Sequence, residues 1–326
     1  MSLFEIRDLK IDFQTRMGTV QAVRGVSFDI GENECVALVG ESGCGKSVTA
    51  RSLIGLTDVV GGEVTGGQVW FEGQNIMDFT DSQWRSYRGN KAAMVFQDAM
   101  TALNPTMRIG KQIWECFRFH QNLTKKEAEK KALELLDKVS IPNPKRALRS
   151  YPHEFSGGMR QRVVIAQALA SNPALLIADE PTTALDVTIQ AQILSLLVQM
   201  KEEEHTSILL ITHDLGVVAG MAQKIVVMYA GMVVEMGTTD EIFYESKHPY
   251  TMGLKAASPR LDGKGERLHT IDGIPPELIN PKPGCPFADR CQYCTDACRE
   301  QIPEMRQVSP THFVRCDRML EKGVDA

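Results

Sequence analysis

Short apolar runs alternate with segments of helical spacing over most of the chain. The apolar runs predict strands near residues 3–12, 22–30, 35–39, 68–72, 174–178 and 207–211, with a final pair around 225–236. Helices are predicted from Val48 to Leu56 and near residues 188–203. Strands that alternate with helices in this way predict an α/β fold built on an open sheet.

A long segment with helical spacing interrupts this alternation, from about Thr101 to Ala170. In it, Thr124 and Glu127 have the spacing of a capping box, which marks the start of a helix. Apolar residues then repeat at helical intervals, at Ala128, Ala132, Leu135, Leu136 and Val139. A Gly-rich turn is predicted from Gly61 to Gly67, before the strand at 68–72. We therefore expect a helical insertion within the α/β fold.

Composition indicates a cytosolic enzyme with one large domain and an appendage. The 326 residues are 43% hydrophobic and 24% charged, and the formal net charge is −5. The first residues lack the basic segment and apolar core of a secretory signal. The longest apolar runs, such as Ile225 to Ala230, have the length of a strand, far below the ~18 residues of a spanning helix. We expect any membrane location to come through a partner.

A phosphate-binding loop follows the apolar run at 35–39. The residues from Gly40 to Ser47 read G-x-x-x-x-G-K-S, and a predicted helix comes directly after them. Glycines let successive backbone N–H groups curl around phosphate oxygens, and the helix start adds partial positive charge. We expect Lys46 to neutralise the β and γ phosphates and Ser47 to ligate Mg²⁺. The motif predicts binding of a nucleoside triphosphate.

Two acidic residues follow a second buried-strand pattern, at 174–178. Asp179 and Glu180 come at the carboxyl end of this strand, where ligands of open α/β sheets gather. Asp179 is expected to hold Mg²⁺ through water. Glu180 is expected to accept a proton from the water that attacks the γ phosphate, or to orient that water.

A third motif, Ser156-Gly157-Gly158, lies between the phosphate loop and the acidic strand. Alone it predicts only a helix entry capped by Ser156. In this order, the three motifs resemble the nucleotide-binding subunits of ATP-binding cassette (ABC) transporters. The resemblance implies an α/β P-loop NTPase of the ABC type. Such a fold has a RecA-like core, an antiparallel β subdomain, a helical subdomain and, here, a small Cys-rich C-terminal extension.

The resemblance assigns roles to further residues. Phe13 resembles the aromatic residue that stacks on adenine, and His213 the histidine that contacts the γ phosphate. Gln97 resembles the glutamine that contacts Mg²⁺ and the attacking water. The implied catalytic residues are Glu180, His213 and Gln97, and the implied Mg²⁺ ligands are Ser47, Gln97 and Asp179. The implied ATP-binding residues are Phe13, Gly40, Glu41, Ser42, Gly43, Cys44, Gly45, Lys46, Ser47 and Val48.

Dimerisation is part of the chemistry that this resemblance implies. In the family, the Ser-Gly-Gly helix reaches the γ phosphate that the partner subunit binds, which assigns this contact to Ser156, Gly157, Gly158 and Met159. The segment Ala184-Leu185-Asp186 resembles the loop that crosses the dimer interface. Two subunits are therefore expected to close face to face around two ATP molecules. Hydrolysis removes the bridging phosphate and lets them separate.

Longer segments narrow the resemblance to the oligopeptide and dipeptide importer ATPases. These segments are Phe96-Gln97-Asp98, residues 151–162, residues 179–188 and His248-Pro249-Tyr250-Thr251. The implied function is ATP hydrolysis that powers peptide import, on the cytoplasmic face of the membrane as a peripheral subunit. The implied partners are a second ATPase subunit, two permease subunits and an extracytoplasmic peptide-binding protein. Nickel, glycans or other small solutes remain alternatives, because the ATPase does not touch the solute.

The predicted nucleotide-binding domain spans residues 1–255, with a helical subdomain at about 101–170. A C-terminal extension, here called the tail, follows at 256–326. Five of the eight cysteines lie in this extension. Clustered thiols in a cytosolic chain favour a metal over disulfides. The family resemblance implies that Cys285, Cys291, Cys298 and Cys316 hold a [4Fe-4S] cluster. A zinc site that uses the Cys291-x₂-Cys294 pair, and a tail without metal, are the alternatives.

Other ATPases that share these motifs have features that are not evident here. A DNA-repair or chromosome-organising ATPase would carry long heptad arms or a basic nucleic-acid face. A translation-factor ATPase would carry two cassettes in one chain. We therefore expect no nucleic-acid partner.

Overall fold

The computed structural model describes residues 2–121, 123–183, 185–257 and 270–319. The strands are β1 (Ser2–Thr15), β2 (Gly18–Gly31), β3 (Cys35–Val39), β4 (Gly62–Phe71), β5 (Gln74–Asn75), β6 (Ala92–Val95), β7 (Leu175–Asp179), β8 (Ser207–Thr212), β9 (Lys224–Tyr229), β10 (Met232–Thr238), β11 (Arg306–Gln307) and β12 (Phe313–Val314).

The helices vary from single turns to an 18-residue helix. They are α1 (Lys46–Ser52), α2 (Asp81–Tyr87), α3 (Ala99–Ala102), α4 (Ile109–Gln121), α5 (Lys125–Lys138), α6 (Pro144–Ala147), α7 (Gly157–Leu169), α8 (Val187–Glu204), α9 (Leu215–Ala219), α10 (Thr239–Glu245), α11 (Pro249–Ala257) and α12 (Asp296–Glu300). None of these described helices is both long enough and apolar enough to cross a membrane.

The chain forms two compact units. The first unit comprises Met1–Gly31, Cys35–Asp78 and Ile211–Ala326, and the second comprises Glu32–Glu34 and Phe79–Leu210. The first unit contains an antiparallel sheet with the strand order β2-β1-β4-β5. It also contains five neighbouring strands in the order β11-β12-β10-β9-β3. The phosphate loop and the cysteine-rich tail therefore belong to the same unit.

A bulge shared by three strands shapes the antiparallel sheet. The pairing registers of β1 with β2 and with β4 both shift next to Asp8, whose φ is 48°. Gly25 of β2 and Gly67 of β4 lie against Asp8 and have φ of 81° and 86°. The bulge inserts an extra residue between two buried pairs, Phe4 with Ile6 and Leu9 with Ile11. The extra residue explains why Ile6 and Leu9 are both buried although they are three positions apart, whereas strict alternation along a strand would put them on opposite faces.

The predicted turn from Gly61 to Gly67 was wrong. Strand β4 begins at Gly62 and includes most of that segment. The glycines are needed inside the strand, because a Cβ atom at Gly67 would lie 2.4 Å from the Asp8 carbonyl oxygen and one at Gly62 would lie 2.9 Å from the Phe13 ring. Here a tertiary approach between strands overrides the usual association of glycine with turns.

The five neighbouring strands of the first unit connect the phosphate loop to the tail. Strand β3 runs parallel to β9, and β9 and β10 form an antiparallel hairpin. All five residues of β3 are buried, as expected for a parallel strand that is covered on both faces. The tail strand β12 pairs with β10, and β11 pairs with β12. The predicted pair around 225–236 is confirmed.

The second unit has parallel strands flanked by helices. Its strand order is β8-β7-β6, and β6 pairs in parallel with β7. Within its described residues, the predicted helical stretch from 101 to 170 contains helices α4 to α7 and the end of α3. The capping box at α5 is confirmed, since the Thr124 hydroxyl accepts the Glu127 N–H and the Glu127 carboxylate accepts the Thr124 N–H.

Replacing Gly67 with alanine should destabilise the protein more than the same change at Gly73. Both residues have positive φ, of 86° and 79°, so alanine is strained at each. Only at Gly67 does the new Cβ meet backbone, whereas nothing lies within 4 Å of it at Gly73. We expect Gly67→Ala to cost about 1–2 kcal/mol more than Gly73→Ala in the free energy of unfolding, measured by urea titration. Equal losses would contradict the close approach at Asp8.

Candidate functional site

The phosphate loop connects β3 to α1, and its path depends on two glycines. Gly40 has φ of 151°, and a Cβ atom there would lie 2.2 Å from the Met228 carbonyl oxygen. Gly45 has φ of 100°, and a Cβ atom would lie 2.5 Å from the Ala22 carbonyl oxygen. A side chain fits neither position, so the motif's glycines are required by close backbone packing as well as by conformation.

The Lys46 side chain is buried and folds back over the loop. Its ammonium group donates to the carbonyl oxygens of Gly40 at 2.7 Å and Glu41 at 2.8 Å. Helix α1 begins at Lys46, two residues earlier than predicted, and ends at Ser52 rather than Leu56. The earlier end has a local cause, because Gly55 takes a left-handed conformation with φ of 60°. Ser47 lies half-buried in the first turn of α1.

The other predicted ATP-site residues of the first unit lie in this loop, in α1, on β1 and after β8. Cys44 is buried in the loop, and burial is the main cause that raises its pKa. Val48 lies half-buried in α1. Phe13 lies half-buried on β1, with its ring against Gly62. His213 is exposed and follows directly after β8. Ser42 and Gly43, at the tip of the loop, are also exposed.

The second unit brings Gln97 and Glu180 into contact. The Gln97 Nε2 group donates to Glu180 Oε2 at 2.8 Å, and the Thr183 hydroxyl donates to the same oxygen at 2.9 Å. Glu180 has φ of 46°, an uncommon conformation for a residue with a side chain and one that is found at functional sites. Asp179, the last residue of β7, is 1% exposed. A carboxylate is thus fixed at the end of a buried strand by two donors.

The Ser-Gly-Gly motif forms the start of α7. The Ser156 hydroxyl accepts the Met159 N–H, which confirms the predicted cap. Gly158 is buried, and a Cβ atom there would lie 2.7 Å from Ile189 Cγ2 on α8. Asp186 caps α8 by accepting the Ile189 N–H at 2.9 Å. The two helix starts therefore pack together and leave Ser156, Gly157 and Asp186 exposed, while Ala184 lies outside the described residues.

Comparisons with known proteins identify the family. The oligopeptide transport ATP-binding protein OppD of Bacillus subtilis is 52% identical over 96% of this chain and 88% of its own length. The dipeptide transport ATP-binding protein DppD of the same organism is 50% identical over 99% and 97%. OppD of Escherichia coli is 45% identical over 98% and 94%. The chain belongs to the ATP-binding proteins of oligopeptide and dipeptide ABC transporters.

Family models and solved structures agree with this assignment. The ABC transporter model matches residues 23–183, and the model for the oligopeptide/dipeptide transporter C-terminal region matches residues 234–298. A dimeric ATP-binding cassette in a post-hydrolysis state with ADP and phosphate is 27% identical, with a TM-score of 0.64 over 72% of this chain and 98% of that chain. This ABC ATPase therefore has the fold of cassettes that are known as dimers.

The C-terminal region of this ABC ATPase contacts its phosphate loop, which the sequence did not predict. Tyr250, from the His-Pro-Tyr-Thr segment, accepts the Glu41 N–H on its hydroxyl at 2.8 Å. The Arg290 guanidinium forms two hydrogen bonds to the Glu41 carboxylate, at 2.7 and 2.9 Å. Arg290 also donates to the Tyr229 hydroxyl at 3.1 Å. No local signal predicts contacts between residues more than 200 positions apart.

A buried polar network joins the ABC ATPase's last strands to its tail. The Glu235 carboxylate is fully buried and accepts the backbone N–H groups of Lys247 at 2.6 Å and His248 at 3.2 Å. His312 Nε2 lies 2.8 Å from the same carboxylate. His248 Nδ1 accepts the Tyr250 N–H at 3.1 Å, so this network also fixes the start of α11.

The four cysteines assigned to the cluster lie in one region of the tail. Burial is the main cause that raises the pKa of Cys285 to about 11, and the thiols of Cys316, Cys291 and Cys298 raise it further. Burial likewise raises the pKa of Cys316 to about 11, again with Cys291 and Cys298 as neighbours. The Cys285 N–H donates to the Cys298 carbonyl at 2.7 Å. Over the described ranges, no three His, Cys, Asp or Glu residues form a group that could hold a metal ion.

The stability of this ABC ATPase should fall as the pH is lowered from 6.5 to 4, partly because of His248. Burial lowers the pKa of His248 from 6.5 to about 4, against the opposing effect of Glu235. In that window the unfolded chain binds a proton that the folded chain does not, so stability rises with pH. The contribution is about 3 kcal/mol in total. His248→Asn, whose amide oxygen can still accept the Tyr250 N–H, should flatten the dependence of unfolding free energy on pH.

The exposed His205 provides the control for this measurement. It ends α8 in a left-handed conformation that asparagine tolerates, so His205→Asn should keep the wild-type slope. The comparison is best made by urea unfolding between pH 5 and 6.5, above the range in which most carboxylates titrate. A His248→Asn slope equal to that of the wild type would show that His248 is not the group that titrates.

Proposed function

We propose that this chain is the ATP-hydrolysing subunit that powers import of oligopeptides or dipeptides through a membrane ABC transporter. The observation that carries the ATPase role is the Glu180 carboxylate, held by Gln97 and Thr183 directly after the buried Asp179. The peptide substrate is supported by the names of the relatives and by the match to the oligopeptide/dipeptide transporter C-terminal region.

In this proposal, the first unit supplies the groups that bind ATP. The backbone N–H groups from Gly40 to Ser47 bind the phosphates, and Lys46 neutralises the β and γ phosphates. Phe13 stacks on adenine, Val48 contributes to the binding site, and His213 contacts the γ phosphate. These roles use residue types suited to them: a flexible cation, an exposed imidazole and a half-buried aromatic ring.

The second unit supplies the groups for hydrolysis. Glu180 accepts a proton from the water that attacks the γ phosphorus, and the bond to the bridging oxygen breaks to release ADP and phosphate. Gln97 orients that water. Gln97 and Asp179, and Ser47 of the first unit, would hold Mg²⁺ through amide, carboxylate and hydroxyl oxygens, and the ion would neutralise charge on the phosphates. The hydrogen bond from Gln97 to Glu180 couples two of these roles.

Assembly completes the proposed mechanism. Ser156, Gly157, Gly158 and Met159 contact the γ phosphate held by a second ATPase subunit, and Asp186 lies in the loop at that interface. The exposure of Ser156, Gly157 and Asp186 supports these roles. The other partners are two permease subunits and an extracytoplasmic peptide-binding protein, with this subunit peripheral on the cytoplasmic face of the membrane. Residues 1–255 form the nucleotide-binding domain, with its helical subdomain at about 101–170, and 256–326 the extension.

We also propose that Cys285, Cys291, Cys298 and Cys316 hold a [4Fe-4S] cluster. The Cys291 and Cys298 thiols lie close enough to Cys285 and Cys316 to raise the pKa of both, and four thiols are the donor set that such a cluster needs. Bound there, a cluster would crosslink four points of the tail, and it would require the thiols as thiolates. Cys294 is the remaining thiol of the tail. A zinc site that uses the Cys291 and Cys294 pair is the alternative to the cluster, and the metal content of the purified protein distinguishes the two.

Changing Glu180 to glutamine should stop turnover and spare ATP binding. The glutamine oxygen can accept the same hydrogen bonds from Gln97 and Thr183, but the amide cannot accept the proton from water. We expect ATP hydrolysis to fall by about 10²–10⁴-fold, whereas the Kd for ATP changes little and the ATP-bound dimer becomes more stable. Hydrolysis, nucleotide binding and size-exclusion chromatography measure these effects. In cells that lack the subunit, the wild type should restore uptake of labelled peptides and the variant should not.

Lys46→Ala is the control, because it should weaken nucleotide binding itself. Rapid hydrolysis by Glu180→Gln would exclude Glu180 as the base. Failure of the wild type to restore uptake of any peptide, with ATPase activity intact, would exclude the peptide substrate and leave the ATPase role in place.

Anaerobic purification should yield a brown protein with about four iron and four sulfide per chain. Cys285→Ser and Cys316→Ser should each lower the iron content and the visible absorbance. Cys116→Ser is the control, because Cys116 lies on α4 in the second unit and should leave both unchanged. A colourless protein that contains zinc would refute the cluster.

A further inference from the structure

The second residue of the phosphate loop, Glu41, is held at three points. Its backbone N–H donates to the Tyr250 hydroxyl at 2.8 Å, and its carbonyl oxygen accepts from Lys46 at 2.8 Å. Its carboxylate accepts two hydrogen bonds from Arg290, at 2.7 and 2.9 Å. Two of these three partners come from the C-terminal region, so that region fixes both the backbone and the side chain of a loop residue.

Arg290 is itself held rigidly. Its side chain is 5% exposed, and its remaining N–H groups donate to the carbonyl oxygens of Asp272 at 2.9 Å and Ile271 at 3.1 Å and to the Tyr229 hydroxyl at 3.1 Å. The guanidinium also lies 5.9 Å from the centre of the Phe287 ring. Hydrogen bonding to Glu41 is the main cause that raises the pKa of Arg290, so the group stays charged. A preorganised fork of this kind suits bidentate recognition of a carboxylate.

The charge of Glu41 makes this contact relevant to ATP. A carboxylate in a phosphate-binding loop repels a triphosphate unless a cation neutralises it. Glu41 is 25% exposed, and its ion pair with Arg290 is partly shielded from solvent, where charges interact more strongly than at the surface. By contrast, the tail ion pair of Arg306 with Asp317 is about half exposed on both sides and should contribute little.

We propose that Arg290 is a positioning residue for ATP binding. Together with Tyr250, it fixes Glu41 and neutralises its carboxylate, so that the phosphate loop presents N–H groups rather than a free anion to the triphosphate. This inference rests on the proposed role of the loop in ATP binding. It assigns the tail a task in nucleotide affinity in addition to any metal that its cysteines hold.

The test is the Kd of the full-length chain for a fluorescent ATP analogue in the presence of Mg²⁺. Arg290→Gln should weaken binding about tenfold, because it leaves the Glu41 charge beside the phosphates. Tyr250→Phe removes only the hydroxyl that accepts the Glu41 N–H, and it should weaken binding about threefold. Arg306→Gln, the matched control in the same tail, should leave the Kd unchanged.

A double-mutant cycle with Glu41→Gln separates positioning from a general structural role. If Arg290 acts through Glu41, the loss caused by Arg290→Gln should shrink to less than about threefold in the Glu41→Gln background. A loss that stays tenfold in that background would overturn the proposal, as would a folded Arg290→Gln protein with wild-type Kd. Urea unfolding of each variant verifies that the native state is populated.

Two further outcomes are distinguishable. If Arg290→Gln does not fold, Tyr250→Phe decides, since its shape is nearly unchanged, and a wild-type Kd for that variant would reject the inference. If the wild-type chain itself does not bind ATP, the proposed function fails before the role of Arg290 is tested.

Discussion

The close packing of the phosphate loop on neighbouring backbone is the constraint on which the first unit depends. At Gly40 and Gly45 the loop approaches two carbonyl oxygens so closely that no side chain fits. One of these carbonyls belongs to β2 and the other to β9. The loop therefore needs both strands in place, and β9 in turn pairs with β3, from which the loop starts. Strand, loop and hairpin fix one another, and the tail adds its contacts at Glu41 to a loop already confined on one side.

The two units differ in the sequence distance between a functional residue and the residues that hold it in place. In the second unit, Glu180 is held by Gln97, which lies two residues after β6, and by Thr183, three residues along the chain. In the first unit, support for the loop comes from residues more than 200 positions distant, through Tyr250 and Arg290. Hydrolytic groups that are held within the second unit and a phosphate loop that is held by the C-terminal region are affected by different substitutions. Changes in the tail should therefore alter affinity before they alter chemistry.

Features with a local physical cause could be predicted from the amino-acid sequence. The phosphate loop, the cap at Ser156 and the capping box at Thr124 follow from side chains within a few residues of the backbone groups that they satisfy. Features whose cause lies elsewhere in the fold could not be predicted in this way. Gly67 serves a bulge shared by three strands, and Gly62 makes room for the Phe13 ring, so both glycines lie inside a strand rather than in a turn. The contact of Arg290 with Glu41 joins residues 249 positions apart. The residues next to either one in the sequence do not indicate this contact.

The tail strands also limit edge-to-edge pairing of the sheet with other chains. Strand β10 is almost entirely buried, and without a neighbour its outer edge would offer unpaired backbone groups along an apolar strand. β12 covers part of that edge, and β11, which follows it in the sheet, is only two residues long, exposed and contains Arg306. A short, charged final strand is a poor template for further pairing. The tail, whose Arg290 contacts the phosphate loop, thus also ends the sheet with an edge that disfavours aggregation.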